Sequence, residues 1–330
     1  MKAAIYRAYG SADGVRIEDV PTPEPGPGEV RIRVRAASLN HADIYMLRGW
    51  PYMLRLQSGL WRPKNNGIGL DFAGEIEKLG EGVADLRPGD AVLGEMTTPF
   101  SGRTRTIAEY LCVPAVQAVK MPSALSFEEA AVLPLAGCTA MFAVHDFGGL
   151  RPGQRVLING AGGGIGVHAV QLAKHAGAIV TAVCSGEKAS MVRELGADRT
   201  IDYRREDFTA EDIRYDVMID LVSSRSPEEC RRVLASDGRF VWAGSMESSP
   251  VLGPLRPLLR MASASRGAPG QRWDTINRKT ISADLMKLVE LHAEGAFRPV
   301  IGLRYPLAEV ADAIRHMETG HASGKIVIAI

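Results

Sequence analysis

Several features that mark particular protein classes are missing or scarce in this sequence of 330 residues. It contains four cysteines, and no two of them have the C-x-x-C spacing of a zinc site or of a disulfide framework. It has no N-x-[ST] glycosylation sequon. We therefore expect buried, reduced thiols in a cytoplasmic protein.

A charge excess of either sign is also missing. Lys and Arg number 39 and Asp and Glu number 38, which gives a formal net charge of +1. A dedicated nucleic-acid-binding protein usually carries a basic excess, so we expect no nucleic-acid partner.

The uncharged stretches Ala130–Val144 and Val156–Ala173 contain Pro or several Gly and do not suit a membrane span. The first twenty residues lack the apolar core of a signal peptide. We therefore expect no membrane partner.

The patterns that are present indicate two domains, as the chain length does. Residues Val30–Ala36 alternate apolar and charged side chains, and further short strands with Gly/Pro turns follow, which is typical of a small β-barrel. The pattern changes near residue 121, where Ser126 and Glu129 form the capping box of a helix. From Arg155, strands alternate with helices as in a doubly wound parallel sheet. The last strand, KIVIAI, is predicted to return to the first domain.

The strongest signal for a binding site is a glycine-rich loop between the strand RVLIN and a helix. Ala161 stands where the usual dinucleotide fingerprint has its first glycine. Missing Cβ atoms let the backbone approach a pyrophosphate, which the amides at the helix N-terminus then bind. The alternative is a tight turn without a ligand. The candidate cofactor-binding residues of the loop are Gly160, Ala161, Gly163, Gly164, Ile165 and Gly166.

The second strand of this unit decides which nicotinamide cofactor is expected. NAD-binding proteins place an acidic residue about 20 residues past the loop to hold the ribose 2′-hydroxyl. Here the strand ends in Cys184 and Ser185, and Lys188 follows. Because a 2′-phosphate requires donors and positive charge, the sequence predicts NADPH, held by Ser185, Lys188 and Tyr203. The alternative for Lys188 is an exposed lysine at the start of a helix.

Motifs along almost the whole chain match one known family. They are AASLNHADIYMLRG, GLDFAGEIEKLGEGV, RPGDAVLG, AAVLPLAGCTA, the glycine loop, LGADRTIDYRREDF and YPLAEVADAIRHMETGHASGKIVI. On these motifs the chain resembles the medium-chain dehydrogenase/reductase superfamily, in its zinc-free quinone oxidoreductase branch. The resemblance implies an α/β fold. It implies that a GroES-like β-barrel catalytic domain over residues 1–122 and 296–330 is split around a Rossmann domain over residues 123–295. It also implies a homodimer that pairs Rossmann-sheet edges, with GRFVWAG as the candidate edge strand.

The resemblance also implies the reaction. The zinc-dependent alcohol dehydrogenases of this superfamily carry a catalytic Cys and a G-H-E motif, and the corresponding stretches here read SLNHAD and GLDFAGE. Since the Cys and the His are missing, we expect no metal. Without a Lewis acid to hold an alkoxide, hydride delivery to an electrophilic acceptor is favoured over alcohol oxidation. The expected activity is NADPH-dependent reduction of a small electrophile, either a quinone or an α,β-unsaturated carbonyl compound.

By the same resemblance, Asn40 and Tyr45 face the nicotinamide and the substrate, whereas Asp43 orders the local loop. The further cofactor contacts that it implies are Thr139, Gly244 and Ser245.

Two alternative functions remain open. Two insertions, Tyr52–Gly67 and Ser245–Thr280, are rich in basic residues and either wall the substrate cleft or are simply solvated. If they wall it, an acceptor with an anionic or extended tail would fit, which suggests an enoyl-thioester reductase or another reductase of a biosynthetic pathway. The other alternative is an NADPH-binding protein without catalytic activity.

Overall fold

The computed structural model describes residues 1–96, 105–244, 251 and 269–330. The strands in these ranges are β1 Lys2–Tyr6, β2 Val15–Asp19, β3 Glu29–Leu39, β4 Asp71–Leu79, β5 Ala91–Glu95, β6 Tyr110–Pro114, β7 Ala118–Lys120, β8 Arg155–Asn159, β9 Ile179–Cys184, β10 Arg199–Asp202, β11 Tyr215–Asp220, β12 Leu234–Trp242, β13 Arg272–Thr275, β14 Ile301–Pro306 and β15 Lys325–Ala329. The α-helices are α1 His41–Arg48, α2 Arg55–Ser58, α3 Phe127–Ala131, α4 Pro134–Met141, α5 Gly166–His175, α6 Ala189–Glu194, α7 Pro227–Val233, α8 Ser282–Ala293 and α9 Val310–Glu318. None of the helices in these ranges combines the length and apolar character needed to cross a bilayer.

The chain forms two compact units. The barrel unit comprises Met1–Cys138, Lys279–Leu291 and Pro299–Ile330, and the nucleotide-binding unit comprises Thr139–Arg278 and His292–Arg298. These boundaries differ from the predicted ones at 123–138, 279–291 and 296–298. The first of these segments belongs to the barrel unit because α3 packs against β3, β4 and β15.

Strand β3 organises the barrel unit. The predicted alternation is confirmed, since Val30, Ile32 and Val34 are buried while the arginines between them face outward or lie half-buried. One edge of β3 pairs with β4, and the other pairs with β6 near its start and with β15 near its end. The predicted return of the last strand is therefore confirmed. The sheet order is β14-β15-β3-β4-β5-β7, with β6 attached to β3.

The nucleotide-binding unit contains the predicted doubly wound parallel sheet. Its strand order is β10-β9-β8-β11-β12-β13, and every pairing in it is parallel. This order reverses direction between β8 and β11, the position at which α/β sheets bind dinucleotides. Helix α5 packs on β8 and β9, α6 packs on β10, and α7 packs on β12.

The prediction that GRFVWAG is an edge strand is wrong. This sequence lies in β12, which has β11 on one side and β13 on the other. Strand β13 comes from a segment whose Pro, Arg, Ser and Gly content hides its strand character. It is held in place partly by Trp273, which stacks on Phe240 with ring centroids 4.4 Å apart. The homodimer remains a prediction, and pairing at this side of the sheet would involve β13.

The two insertions differ in how much of them is described. The first contains a 3-10 turn and α2, and it is tied to the barrel unit through Arg55, which donates to the carbonyl oxygens of Arg48 and Gly49 and stacks on Tyr9. Trp61 in this insertion is 86% exposed. Most of the second insertion lies outside the described residues.

The turn from β8 into α5 is closed by contact between two glycines. Gly160 has a φ of +89°, a conformation that glycine adopts without strain. A methyl group built on Gly166 would lie 2.2 Å from the carbonyl oxygen of Gly160. Helix α5 can therefore begin against the strand only because Gly166 has no side chain.

We expect Gly166→Ala to lower the free energy of unfolding by about 2 kcal/mol or more. The new methyl group would meet the Gly160 oxygen at 2.2 Å and the Ala161 Cα at 2.6 Å, and neither of these backbone atoms can move aside. Gly163→Ala is the matched control, since its new methyl group would meet only the Gly160 oxygen, at 3.4 Å. Urea unfolding of both variants tests this difference. Equal losses of stability in the two variants would show that the close contact at Gly166 does not matter.

Candidate active site

The residues of the predicted glycine loop come together in one turn. Gly163 N–H donates to the Gly160 carbonyl at 3.1 Å, and Val167 N–H donates to the Gly163 carbonyl at 3.0 Å. The N–H groups of Gly160 and Ala161 both donate to the carbonyl of Val183 on β9, which fixes the loop to the neighbouring strand. Gly164, Ile165 and Gly166 complete the turn and start α5. The first amides of a helix have no partner within it, so this turn presents donors to an anion.

Lys188 lies against this turn and is not a freely exposed lysine. A methyl group built on Gly162 would lie 2.6 Å from Cδ of Lys188. The aliphatic part of the lysine therefore crosses the glycine, and its ammonium group lies beside the loop. Burial lowers the pKa of Lys188, while the neighbouring Cys184 and Glu187 raise it.

A cavity of about 570 Å³ opens at the end of β9, and the residues on either side of Lys188, Glu187 and Ala189, are among those that line it. Ser185 lines it and is buried, and no acidic residue stands at the end of this strand. Tyr203, the third residue predicted at the phosphate, is half exposed and its ring lies 5.9 Å from the Arg204 guanidinium. The charged side chains that line the cavity are Arg193, Arg204, Arg205, Glu187, Asp202 and Glu206.

Two of the three acidic residues of this cavity, Glu187 and Asp202, are engaged by its arginines and by backbone. Arg204 Nη1 donates to Glu187 at 3.0 Å. One carboxylate oxygen of Asp202 accepts the Arg204 backbone N–H at 3.0 Å, and the other lies 3.8 Å from Arg205. Arg193 donates to the Thr200 hydroxyl at 2.7 Å. The cavity therefore combines hydroxyl donors and guanidinium groups, which are suited to a phosphate.

A second polar group joins the ends of the two central strands. Asn159 Nδ2 donates to Asp220 Oδ1 at 2.9 Å, and the same oxygen accepts the N–H groups of Val222 and Ser223. Burial raises the pKa of Asp220, and these donors lower it. Ser223 has a φ of +62° and its hydroxyl donates to the Gly244 carbonyl at 3.2 Å. Gly244 therefore lies beside the strand ends, its contact with a cofactor remains a prediction, and Ser245 lies outside the described residues.

In the barrel unit, Asn40 and Asp43 are joined at the start of α1. Asp43 is buried, and its carboxylate accepts the backbone N–H of Asn40 at 2.8 Å and that of Gly69 at 3.1 Å. These two bonds connect the start of α1 to the segment before β4. Asp43 thus orders the local backbone.

The Asn40 side chain belongs to a buried ionic network. Its Nδ2 donates to Asp71 Oδ2 at 2.9 Å, and its Oδ1 accepts a hydrogen bond from Lys325 Nζ at 2.5 Å. Lys325 Nζ also donates to the Leu39 carbonyl at 3.0 Å and lies 3.5 Å from Asp71 Oδ2. The side chains of Lys325 and Asp71 are 3% and 0% exposed. The network joins the end of β3 and the start of α1 to the starts of β4 and β15.

Burial changes the acidity of this network. It raises the pKa of Asp43 to about 7, with a further rise from the Asp71 charge, while the Asn40 and Gly69 N–H groups oppose the shift. Burial also raises the pKa of Glu95 to about 7, and a hydrogen bond from Thr280 opposes that shift. Burial lowers the pKa of Lys325 below its ordinary value, although the nearby carboxylates oppose this shift.

Tyr45 and Thr139 are the remaining predicted site residues. Tyr45 lies in α1, two positions after Asp43, and Thr139 lies in α4; both are half-buried. Their roles at the nicotinamide remain predictions.

The two stretches that correspond to zinc-ligand motifs meet through Asn40 and Asp71. Their donor set does not fit zinc, because an amide oxygen, a carboxylate and a buried ammonium meet here without a thiolate or an imidazole. No cluster of three or more His, Cys, Asp or Glu residues placed to hold a metal occurs in the described part of the chain.

Sequence reasoning missed Lys325, Asp71, Arg193 and the pair of Asn159 and Asp220. Asn159 and Asp220 could have been found from the sequence, because each is the polar residue that ends an apolar strand, RVLIN and YDVMID. Lys325 could not, because its partner Asn40 is 285 positions away.

Comparison with known proteins agrees with this architecture. The family model for alcohol dehydrogenase GroES-like domains matches residues 26–123, and the model for zinc-binding dehydrogenases matches residues 195–328. A chloroplastic quinone oxidoreductase of Triphysaria versicolor is 34% identical over 99% of this chain and 98% of its own length. A chloroplastic NADPH-dependent alkenal/one oxidoreductase of Arabidopsis thaliana is 30% identical over 99% of this chain and 79% of its own length.

A solved structure of similar fold leads to the same family. The quinone oxidoreductase from Coxiella burnetii superposes with a TM-score of 0.86 at 30% identity, covering 100% of this chain and 99% of that one. The fold and the glycine turn indicate the same family as these relatives do, and the relatives match nearly the full length of the chain. The protein is an oxidoreductase that uses a nicotinamide cofactor, and it belongs to the quinone oxidoreductase branch of the medium-chain dehydrogenase/reductase superfamily.

Proposed function

We propose that the protein is an NADPH-dependent, zinc-independent reductase of quinones or α,β-unsaturated carbonyl compounds. The observation that carries the choice of cofactor is the position of Lys188, whose stem crosses Gly162 beside the cavity at the end of β9. A dinucleotide with its pyrophosphate on the α5 N-terminus has its adenosine ribose at the end of this strand. There it meets Ser185, Lys188 and arginines in place of the acidic residue that favours NADH.

The names of the relatives support the choice of acceptor. Two of them are called a quinone oxidoreductase and an alkenal/one oxidoreductase. Both kinds of acceptor are electrophilic before they bind, so neither requires a metal to polarise it. The donor set around Asn40 and Asp71, which does not fit zinc, agrees with such a reaction.

The bound reduced nicotinamide supplies a hydride. On an enone, hydride addition at the β-carbon shifts the π electrons toward the carbonyl and produces an enolate, and a proton at the α-carbon completes the reduction. On a quinone, one hydride and one proton produce the hydroquinone. In both cases negative charge develops on a carbonyl oxygen, which the protein stabilises with a positioned donor. We assign this role to the Asn40 amide, with Tyr45 or water as the proton source.

The first test is a panel of acceptors with both cofactors. NADPH oxidation with a simple quinone, a 2-alkenal or an enone is expected to be at least about 10-fold more efficient in kcat/KM than NADH oxidation, because a charged hydrogen bond to the 2′-phosphate contributes about 1.5–3 kcal/mol. Dialysis against 1,10-phenanthroline is expected to leave the rate unchanged. A protein that only oxidises alcohols, and loses that activity with the chelator, would contradict the proposal.

The second test addresses the 2′-phosphate contact. Lys188→Ala is expected to raise KM for NADPH by about 10-fold or more while leaving KM for NADH unchanged, because only NADPH carries the group that the ammonium binds. Steady-state kinetics with each cofactor at a saturating acceptor concentration measure both values.

Lys174→Ala is the matched control for Lys188→Ala. The Lys174 stem crosses Gly196 in the same manner, since a methyl group built there would lie 2.9 Å from Lys174 Cγ, and its ammonium pairs with Asp198 at 2.5 Å. Neither lysine is among the residues that line the cavity, but Lys188 lies between two that do, Glu187 and Ala189, whereas Lys174 has no such neighbour. An equal rise in KM for both cofactors in Lys188→Ala would remove the lysine from the phosphate site.

A further inference from the structure

The buried ammonium of Lys325 is held by oxygen atoms from three places in the chain. Its partners are the carbonyl oxygen of Leu39 at 3.0 Å, Oδ1 of Asn40 at 2.5 Å and Oδ2 of Asp71 at 3.5 Å. An ammonium group has three protons to donate, so these three oxygens satisfy it. Because the side chain is 3% exposed, water does not compete for these contacts.

Asp71 is fixed just as firmly. Its Oδ2 accepts hydrogen bonds from the Ser38 hydroxyl and from Asn40 Nδ2, both at 2.9 Å, and its Oδ1 accepts the Leu135 N–H at 3.0 Å. With these partners on both oxygens, the carboxylate cannot rotate without losing hydrogen bonds in a buried site, where each loss is costly. Asp71 therefore offers Asn40 a negative charge in a fixed place.

These two charges determine how the Asn40 amide is oriented. Its oxygen faces an ammonium and its nitrogen faces a carboxylate. The flipped orientation would place the NH₂ group against Lys325 and the oxygen against Asp71, so that both contacts would be repulsive. Inside a protein the low dielectric strengthens both terms. The oxygen thus accepts a hydrogen bond from Lys325 and one amide proton binds Asp71, while the second amide proton has no partner among the residues that the structure describes.

We propose that Lys325 and Asp71 are positioning residues that lock the Asn40 amide as a hydrogen-bond donor to the carbonyl oxygen of the acceptor. This inference rests on the proposed function, in which Asn40 faces the acceptor. An amide free to flip would present its oxygen for part of the time, and that oxygen would repel the charge that develops during hydride addition. The contact between Asn40 Oδ1 and the ammonium also polarises the amide, which makes its remaining N–H a better donor.

The main test is the double variant Lys325→Met/Asp71→Asn. Both charges must be removed together, because a single substitution would leave a buried charge without its partner and risk unfolding. We expect kcat with an enone or quinone to fall by about 10-fold or more, as for the loss of a preorganised donor. KM for NADPH is expected to stay unchanged, because the glycine turn and Lys188 belong to the other unit. An unchanged kcat in a folded double variant would overturn the proposal.

Arg35→Met/Glu75→Gln is the matched control. This pair also joins β3 to β4, at 2.7 Å, but it is partly exposed and shares no atom with the network. It is expected to keep the wild-type kcat. A loss of kcat equal to that of the first double variant would mean that any ion pair between these strands has the same effect, and the positioning role would be rejected.

Asn40→Leu removes the amide donor while Lys325 and Asp71 still neutralise each other. Leucine is of similar size but has no N–H, so kcat is expected to fall by about 100-fold while KM for NADPH holds. A wild-type kcat would show that the amide donor plays no part in the reaction.

Orientation of the amide can be measured without turnover. In ¹⁵N-asparagine-labelled protein, the Asn40 side-chain proton bonded to Asp71 is expected to exchange with solvent at least about 10-fold more slowly than a free amide. Exchange at the free rate would overturn the lock, even if the double variant does not fold. Slow exchange together with no turnover of any acceptor would instead reject the proposed function and leave the lock standing.

Discussion

A buried ammonium is stable only where its protons are bound by oxygen atoms. In the barrel unit, three segments of the chain meet at Lys325 and supply these oxygens. Its acceptors come from the end of β3, the start of α1 and the start of β4. The register that pairs Ile326 of β15 with Leu39 of β3 brings the lysine to them. If that register shifted by one residue, the side chain would point to the opposite face of the sheet and leave Asp71 without a counter-charge.

The nucleotide-binding unit meets a different constraint, which is the space that missing side chains provide. Gly166 lets α5 begin against the Gly160 carbonyl, and Gly162 makes room for the Lys188 stem. Polar groups then occupy the strand ends, where Asn159 and Asp220 fix the loop that carries Ser223. Thus the barrel unit depends on buried charges that are fully hydrogen-bonded, and the nucleotide-binding unit depends on close contacts at glycines. Each arrangement presents N–H donors whose orientation is already set.

Local patterns in the sequence predicted what local physics determines. The capping box of Ser126 and Glu129, the alternation along β3 and the glycine turn all depend on residues within a few positions of one another, and all three are present in the structure. The network around Asn40 was not predicted, because Lys325 lies 285 positions away and reads in sequence as an ordinary charge before an apolar strand. The edge assignment of β12 was wrong because β13 carries too few apolar residues to be recognised as a strand.

The orientation of the Asn40 amide also bears on the direction of the chemistry. Oxidation of an alcohol requires a group that accepts the hydroxyl proton, or a metal that holds the alkoxide. A neutral amide is too weak a base to take that proton, and the Lys325 ammonium, which carries its own protons, is enclosed by protein oxygens. A conjugated carbonyl has the opposite requirement, since its oxygen gains charge and needs a donor. With Asn40 facing the acceptor, as we propose, the same buried charges that stabilise the end of the barrel favour reduction of a conjugated acceptor over oxidation of an alcohol.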